Sequence, residues 1–356
     1  MVYFKWCCNF YIVMVAPPGV VSKSTTVAIA MDLLRCVPGI NFGPQVVTWP
    51  MLVKTFAACN ESFWYGELLE SQCAITLESG EFGNLVNPHD REMIDLLVTL
   101  WDSKQGAFKK ATKTSGEDMI ENPWINLVAC TTPAWIAGNF PEYVIGGGFT
   151  SRCLFVFADE KEKFVPYPHL VVPPGVEVVK AKLVQDLEHI SVVLVGPYKL
   201  LPDAIEWGEK WYKHHYTNRN PALDDDRFGS YIARKQTHIH KLAMVMAASQ
   251  RDEMTINAND LTLANTMVTD LEKDMPKVFS RIGRSEESVH AERFIKYIQK
   301  NGSVPYEEAY RHVHLAFPGA KNFEDVLAGA IRSGYVKMDN TDKGMVLTAI
   351  KDRPVV

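Results

Sequence analysis

The sequence predicts an α/β protein in three parts, and three observations carry that reading. Over residues 1–165, apolar runs of strand length alternate with stretches of helical periodicity, the pattern of a three-layer domain around a largely parallel sheet. A proline-rich stretch, Pro166–Pro174, then interrupts the chain, and residues 166–285 read as helical throughout. From residue 286 to residue 356 the pattern becomes three helices followed by two short strands.

The first strand is Tyr11–Val15, followed by a Pro-Pro-Gly turn and a helix opening at Lys23-Ser24-Thr25 and running through Val27–Arg35. Pro38–Pro50 is a connection broken by Pro and Gly, and Met51–Cys59 is a short helix. Cys73–Leu77 is a buried strand by its continuous apolar run. Glu92–Trp101 places Met93, Leu96, Leu97 and Leu100 on one helical side. Trp124–Cys130 and Cys153–Ala158 are further strands. Helices are expected over Val176–His189, Pro202–Thr217, Asp226–Ser249 and Asn259–Phe279, the last capped by Asn259-Asp260. Ser288–Lys300, Pro305–Val313 and Asn322–Ser333 are the three final helices, and Tyr335–Met338 and Met345–Ala349 form a two-stranded wing, which together spell a winged helix.

Composition narrows the functional classes. The chain has 356 residues, 47% of them hydrophobic, enough for more than one core. A net charge of −5 excludes a general polyanion binder, so any nucleic-acid contact must come from a local basic patch. The seven cysteines are scattered without metal-binding spacing and are expected to be reduced thiols of a cytoplasmic protein. No apolar run reaches membrane-spanning length, so no membrane partner is expected.

The stretch from Tyr11 to Thr26 carries the chemistry. A strand that turns tightly into a helix aims backbone N–H groups and a helix N-terminus at one anion. Lys23 would reach the β- and γ-phosphates of a nucleotide, and the hydroxyl of Ser24 or Thr25 would hold Mg²⁺. Against the pattern G-x-x-x-x-G-K-[ST], Pro17 and Ser22 replace the two glycines and Gly19 remains. Ser22 fits if its φ is negative. ATP with Mg²⁺ is therefore the expected cofactor pair, bound by Gly19, Ser22, Lys23, Ser24 and Thr25.

Such a site needs acidic groups at a second strand end, and Glu78 and Glu81 follow the strand Cys73–Leu77. Glu81, or else Glu78, would orient the attacking water, and Glu78 would share the metal with Ser24. Thr131, with Thr132 as the alternative, stands at the tip of the next strand, where a hydroxyl would bond the γ-phosphate or the water. Arg152 would act as a catalytic arginine reaching a neighbouring subunit's γ-phosphate. Between the acidic strand and Thr131, an inserted hairpin with Lys104, Lys109, Lys110 and Lys113 would grip single-stranded DNA, with Phe108 against a base. Arg234 or Lys235 would reach the nucleotide from a helical lid. His214, His215, His238 and His240 lack metal-binding spacing and read as core or surface residues.

Taken in order, APPGVVSKSTT, ITLESGEFGNLV, INLVACTTPAWI, GGGFTSRCLFVF and the later KLAMVMAAS resemble the ATPase module of phage- and plasmid-encoded primase-helicase proteins, with more distant similarity to superfamily 3 helicases. The resemblance spans roughly residues 10–285. It implies ATP-driven movement on single-stranded or forked DNA by a homo-oligomeric ring, usually a hexamer, in a bacterial or phage-infected cell. It also implies that Lys23, Ser24 and Thr25 bind triphosphate and metal, that Glu78 and Glu81 occupy the acidic strand, that Thr131 is the sensor and that Arg152 acts in trans. The chain begins almost on the nucleotide-binding strand, so an upstream domain is expected to be missing or on another chain. The other class the sequence allows is a catalytically degenerate domain serving as a DNA-binding initiator or scaffold.

Overall fold

The computed structural model describes residues 5–103, 107–112, 116–218, 220–279, 286–314, 317, 320–341 and 344–350. The chain divides into two units, Met1–Ile282 and Gly283–Val356. The helices beyond the proline-rich stretch pack on the sheet domain, so no body separates at residues 165 and 166.

In the first unit the elements run β1 (Tyr11–Val15), α1 (Lys23–Arg35), α2 (Trp49–Ala57), β2 (Asn60–Tyr65), β3 (Leu68–Ser79), α3 (Phe82–Leu85), α4 (Arg91–Trp101), β4 (Ala107–Thr112), β5 (Gly116–Glu121), β6 (Trp124–Thr131), α5 (Pro133–Asn139), α6 (Glu142–Ile145) and β7 (Cys153–Phe157). They continue through α7 (Val176–Val193), β8 (Lys199–Leu200), α8 (Pro202–Thr217), α9 (Gly229–Ala248), β9 (Thr255–Ile256), α10 (Ala258–Glu272) and α11 (Met275–Phe279).

The central sheet has the order β2-β3-β6-β1-β7. Its pairs β3–β6, β6–β1 and β1–β7 are parallel and β2–β3 is antiparallel, which makes the fold α/β with a mixed sheet. The Leu68–Cys73 half of β3 pairs with β2, and the Ala74–Ser79 half pairs with β6. A parallel bridge from Phe42 to Thr76 adds one more residue beside β3. β2 and the Leu68–Gln72 part of β3 escape the apolar-run reading because most of their side chains are exposed on both faces, leaving no alternation to detect.

The two faces of the sheet are unequal. Tyr11, Val13 and Val15 point into the main core, with Leu77, Leu97, Leu127 and Phe155. On the other face, Val27 and Met31 of α1 cover Cys130 in a small cluster flanked by Met14 and Val128. Local signals set the helix starts. Asp90 caps α4 by accepting from the Met93 N–H at 3.1 Å, and Thr132 caps α5 by accepting from the Trp135 N–H at 3.1 Å. Helix α10 is capped by Asn257 rather than by Asn259-Asp260; Asp260 sits at the third helical position and closes a reciprocal capping box.

The second unit runs α12 (Glu286–Asn301), β10 (Ser303–Pro305), α13 (Tyr306–Val313), α14 (Ala320–Arg332), β11 (Val336–Thr341) and β12 (Gly344–Ala349). Its antiparallel sheet has the order β10-β12-β11, with β10 a third strand beyond the two expected. Phe294, Ile298, Phe317, Phe323 and Leu347 form its own core. Among the described residues no helix is long and apolar enough to cross a membrane.

Candidate nucleotide site

From β1 the chain crosses to β3, whereas from β6 it crosses the other way, to β7. Adjacent parallel strands whose connections diverge leave a crevice at their carboxyl ends. Val15 and Thr131 are register partners at that edge, and the Ala16 N–H donates to the Thr131 carbonyl at 3.3 Å. The loop from Ala16 to Ser22 therefore leaves the sheet where the topology opens.

Gly19 has φ +71°, a left-handed conformation in which a side chain is strained. Ser22 has φ −87°, so serine stands there without that strain. Helix α1 starts at Lys23 with no side-chain cap and no acidic residue in its first turn, and Ser24 and Thr25 are exposed. Its first N–H groups thus keep the partial positive charge of a helix start. The Lys23 ammonium folds back over the loop, donating to the Ala16 carbonyl at 2.9 Å and the Pro17 carbonyl at 3.5 Å. An anion in the loop would compete with those neutral acceptors for the same charge.

Glu78, near the end of β3, is mostly buried and ion-paired with Arg35, which also bonds Asp32 at 3.1 Å. Lys23 and Glu78 both act on the Cys130 thiol. Burial pushes its pKa up, with Lys23 pulling it down and Glu78 adding to the rise. Glu81 is exposed at the start of α3, its backbone N–H and carbonyl both engaged by the Ser79 hydroxyl. The Thr131 hydroxyl makes no hydrogen bond among the described residues, whereas Thr132 is used as a cap. The donors for a metal that keeps its waters and phosphate oxygens would be the Ser24 hydroxyl and the Glu78 carboxylate, and to share it Glu78 must leave Arg35, which stands eleven residues along α1 from Ser24.

Other expected groups lie elsewhere. Arg152 is 4% exposed, its Nε and Nη2 donating to Asp102 at 2.8–3.0 Å and its Nη1 to the Gly148 carbonyl at 2.6 Å. It precedes β7, whose Cys153 is level with Tyr11, so it stands at the end of the sheet away from the loop. A buried guanidinium paired with Asp102 at that end of the sheet does not fit an arginine that reaches a neighbour's nucleotide.

Residues β4 to β5 do form a hairpin, and it feeds the starting end of β6, opposite the loop. Lys109 pairs with Glu117 at 3.4 Å, and the Lys110 ammonium lies 4.0 Å from the centre of the Trp49 ring. Phe108 packs against the main core rather than standing free for a base. Lys104 and Lys113 lie outside the described residues. Lys235 is buried on Glu272 at 2.8 Å and cannot serve as a lid, while Arg234 bonds the Ser230 carbonyl in its own helix.

Arg35 is the site residue that sequence reasoning missed. A basic residue in the last turn of a helix is an ordinary signal, and nothing local ties it to Glu78. A second omission is Lys241, fully buried, 2.6 Å from the Asn9 side-chain oxygen and 3.3 Å from the Trp101 ring centre, with its pKa pushed down to about 8 by burial. His238 and His240 are buried, with burial pushing His238 down to about 4. Among the described residues no group of three or more His, Cys, Asp or Glu could hold a metal by itself. No family model matches the sequence, and no curated protein matches it.

Proposed function

We propose that the chain is an ATP-hydrolysing DNA helicase or translocase module of a phage or mobile-element replication protein, working as a homo-oligomeric ring in the cytoplasm of a bacterial or phage-infected cell. One observation carries the nucleotide part. At the crevice end of the sheet, an uncapped helix start and Lys23 with only neutral acceptors stand at the Ala16–Ser22 loop, and the Thr131 hydroxyl is unbonded at the end of the adjacent strand β6. In this reading the central sheet with its loop and α1 is a P-loop domain. Lys23 would exchange the Ala16 carbonyl for phosphate oxygens. Ser24 and Glu78 would hold Mg²⁺, which when bound would offset the charge of the β- and γ-phosphates. Glu81 would orient the attacking water and Thr131 would bond it or the γ-phosphate.

The DNA part rests on the second unit, whose helix–strand–helix–helix–hairpin order would suit a winged helix. On α14, Lys321 and Arg332 are offset by Glu324 and Asp325, which suits protein contact as well as duplex binding. A second reading, a degenerate nucleotide domain in an initiator or scaffold, is favoured by the Glu78–Arg35 ion pair, which occupies the carboxylate that metal would need.

ATP turnover with and without single-stranded DNA tests the proposal. Wild-type protein should hydrolyse ATP and respond to DNA, and Lys23→Ala should lose both while keeping its Tm. Unchanged turnover in Lys23→Ala would sink the catalytic assignment. Binding of an ATP analogue without turnover in the wild type would select the scaffold reading.

A further inference from the structure

Helix α7 is eighteen residues long and buries none of them. It lies along α1, yet Val176, Val178, Val179, Leu183, Val192 and Val193 all face solvent, Val192 at 75%. The approach to the helix is equally bare, with Phe164 at 87% and Leu170 at 71%. Twelve large apolar side chains between Phe164 and Val193 are exposed, a concentration unlike the single exposed residues scattered over an ordinary surface.

The order of residues along α7 indicates what covers it. Val176, Val179, Leu183, Asp186, Ile190 and Val193 recur at spacings of three and four, a heptad seam with one polar position. Running this seam antiparallel against itself sets Val176 against Val193 of a second copy and Val179 against Ile190. The same register puts Leu183 beside Asp186 and brings Lys182 next to the opposing Asp186. Neither Lys182 nor Asp186 has an ion-pair partner among the described residues. Two-fold symmetry makes every one of these contacts twice, which is the condition for a self-complementary interface.

We infer that α7 is a dimerisation helix, packed antiparallel on α7 of a second copy of this chain. The contact is independent of nucleotide binding. Being two-fold, it does not close a ring by itself but joins copies in pairs, whether of single chains or of larger assemblies.

Sedimentation of the full chain at about 10 μM, a concentration that populates a micromolar dimer, tests the inference. The wild type should sediment at an even multiple of the chain mass, and Val179→Glu with Leu183→Glu should halve it. Both positions are exposed, so the variant should keep its fold and Tm. Lys182→Glu alone or Asp186→Lys alone, each placing like charges across the seam twice, should weaken association about tenfold. The two together should restore it, which separates pairing from a general effect of surface charge. A monomeric wild type overturns the inference, as does a double reversal no better than either single one. A monomer that floats with anionic phospholipid vesicles would assign the face to a lipid surface and overturn it too. None of these outcomes depends on ATP turnover, so failure here and failure of the motor reading are distinguishable.

Discussion

Arg35, in the last turn of α1, is ion-paired with Glu78, near the end of β3, and so ties the helix that follows the Ala16–Ser22 loop to β3. The pair is asymmetric in exposure, with the Arg35 side chain 45% exposed and Glu78 15%. Opening it therefore costs little in stability but changes the charge offered to a metal.

Arg35→Ala is expected to lower stability by no more than about 1 kcal/mol, the range for pairs that water still reaches. It should also reduce several-fold the Mg²⁺ concentration at which an ATP analogue binds, because Glu78 is freed. A magnesium titration followed by nucleotide fluorescence would read this, and an unshifted midpoint would remove Glu78 from the metal site.

Arg152→Ala leaves the Asp102 carboxylate without its bidentate partner and should cost about 1–3 kcal/mol in urea unfolding, because water still reaches Asp102. Arg152→Ala combined with Asp102→Ala should recover part of that loss. A residue acting in trans would instead lose turnover at unchanged stability, so the two roles separate on one gel and one unfolding curve.

At the loop, Ser22→Gly should leave nucleotide affinity within about twofold, because Ser22 already has an unstrained φ and makes no capping bond, and the added backbone freedom costs under 1 kcal/mol. Gly19→Ala should cost about 1 kcal/mol or more, since a Cβ is forced into the left-handed region. Isothermal titration with an ATP analogue and a thermal melt would check both; a large gain for Ser22→Gly would mean that the loop changes shape around its ligand.

His238 is fully buried, its Nε2–H donating to the Ser151 carbonyl at 2.9 Å, and its pKa falls from 6.5 to about 4. Between those values the unfolded chain binds the proton and the folded chain does not. Stability from this group is thus complete above about pH 6.5 and is lost as the pH falls toward 4, by about 3 kcal/mol in all. His215 and His240, also lowered by burial, act in the same direction. His238→Gln should flatten the slope of unfolding free energy against pH in that window, and an unchanged slope would mean that water reaches the ring.

Much of the scaffold was legible from short-range pattern. The strands at Tyr11, Trp124 and Cys153, the helix after Ser22 and the apolar stripe of α4 all follow from periods of two and 3.6 residues, which any single segment displays. The split of the predicted helix Asn259–Phe279 into α10 and α11 has a local signal that the periodic reading passed over: Pro276, in the first turn of α11, cannot continue the hydrogen bonds of α10. The candidate loop was read because its glycine, lysine and hydroxyls are contiguous. Arg35 was missed because its partner Glu78 lies forty-three positions away.

The amino-acid sequence by itself determined which segments become strands and helices and where the turn through Gly19 occurs, since these depend on neighbours within a few residues. Tertiary structure alone decided which charges remain available. Arg152 and Lys235 look free on paper, but parallel register and helix packing bury each against a carboxylate, whereas Lys23 is left with carbonyls. The physical reason is that the state of a charge is set by whatever surrounds it in space, and burial brings together residues that the chain keeps far apart.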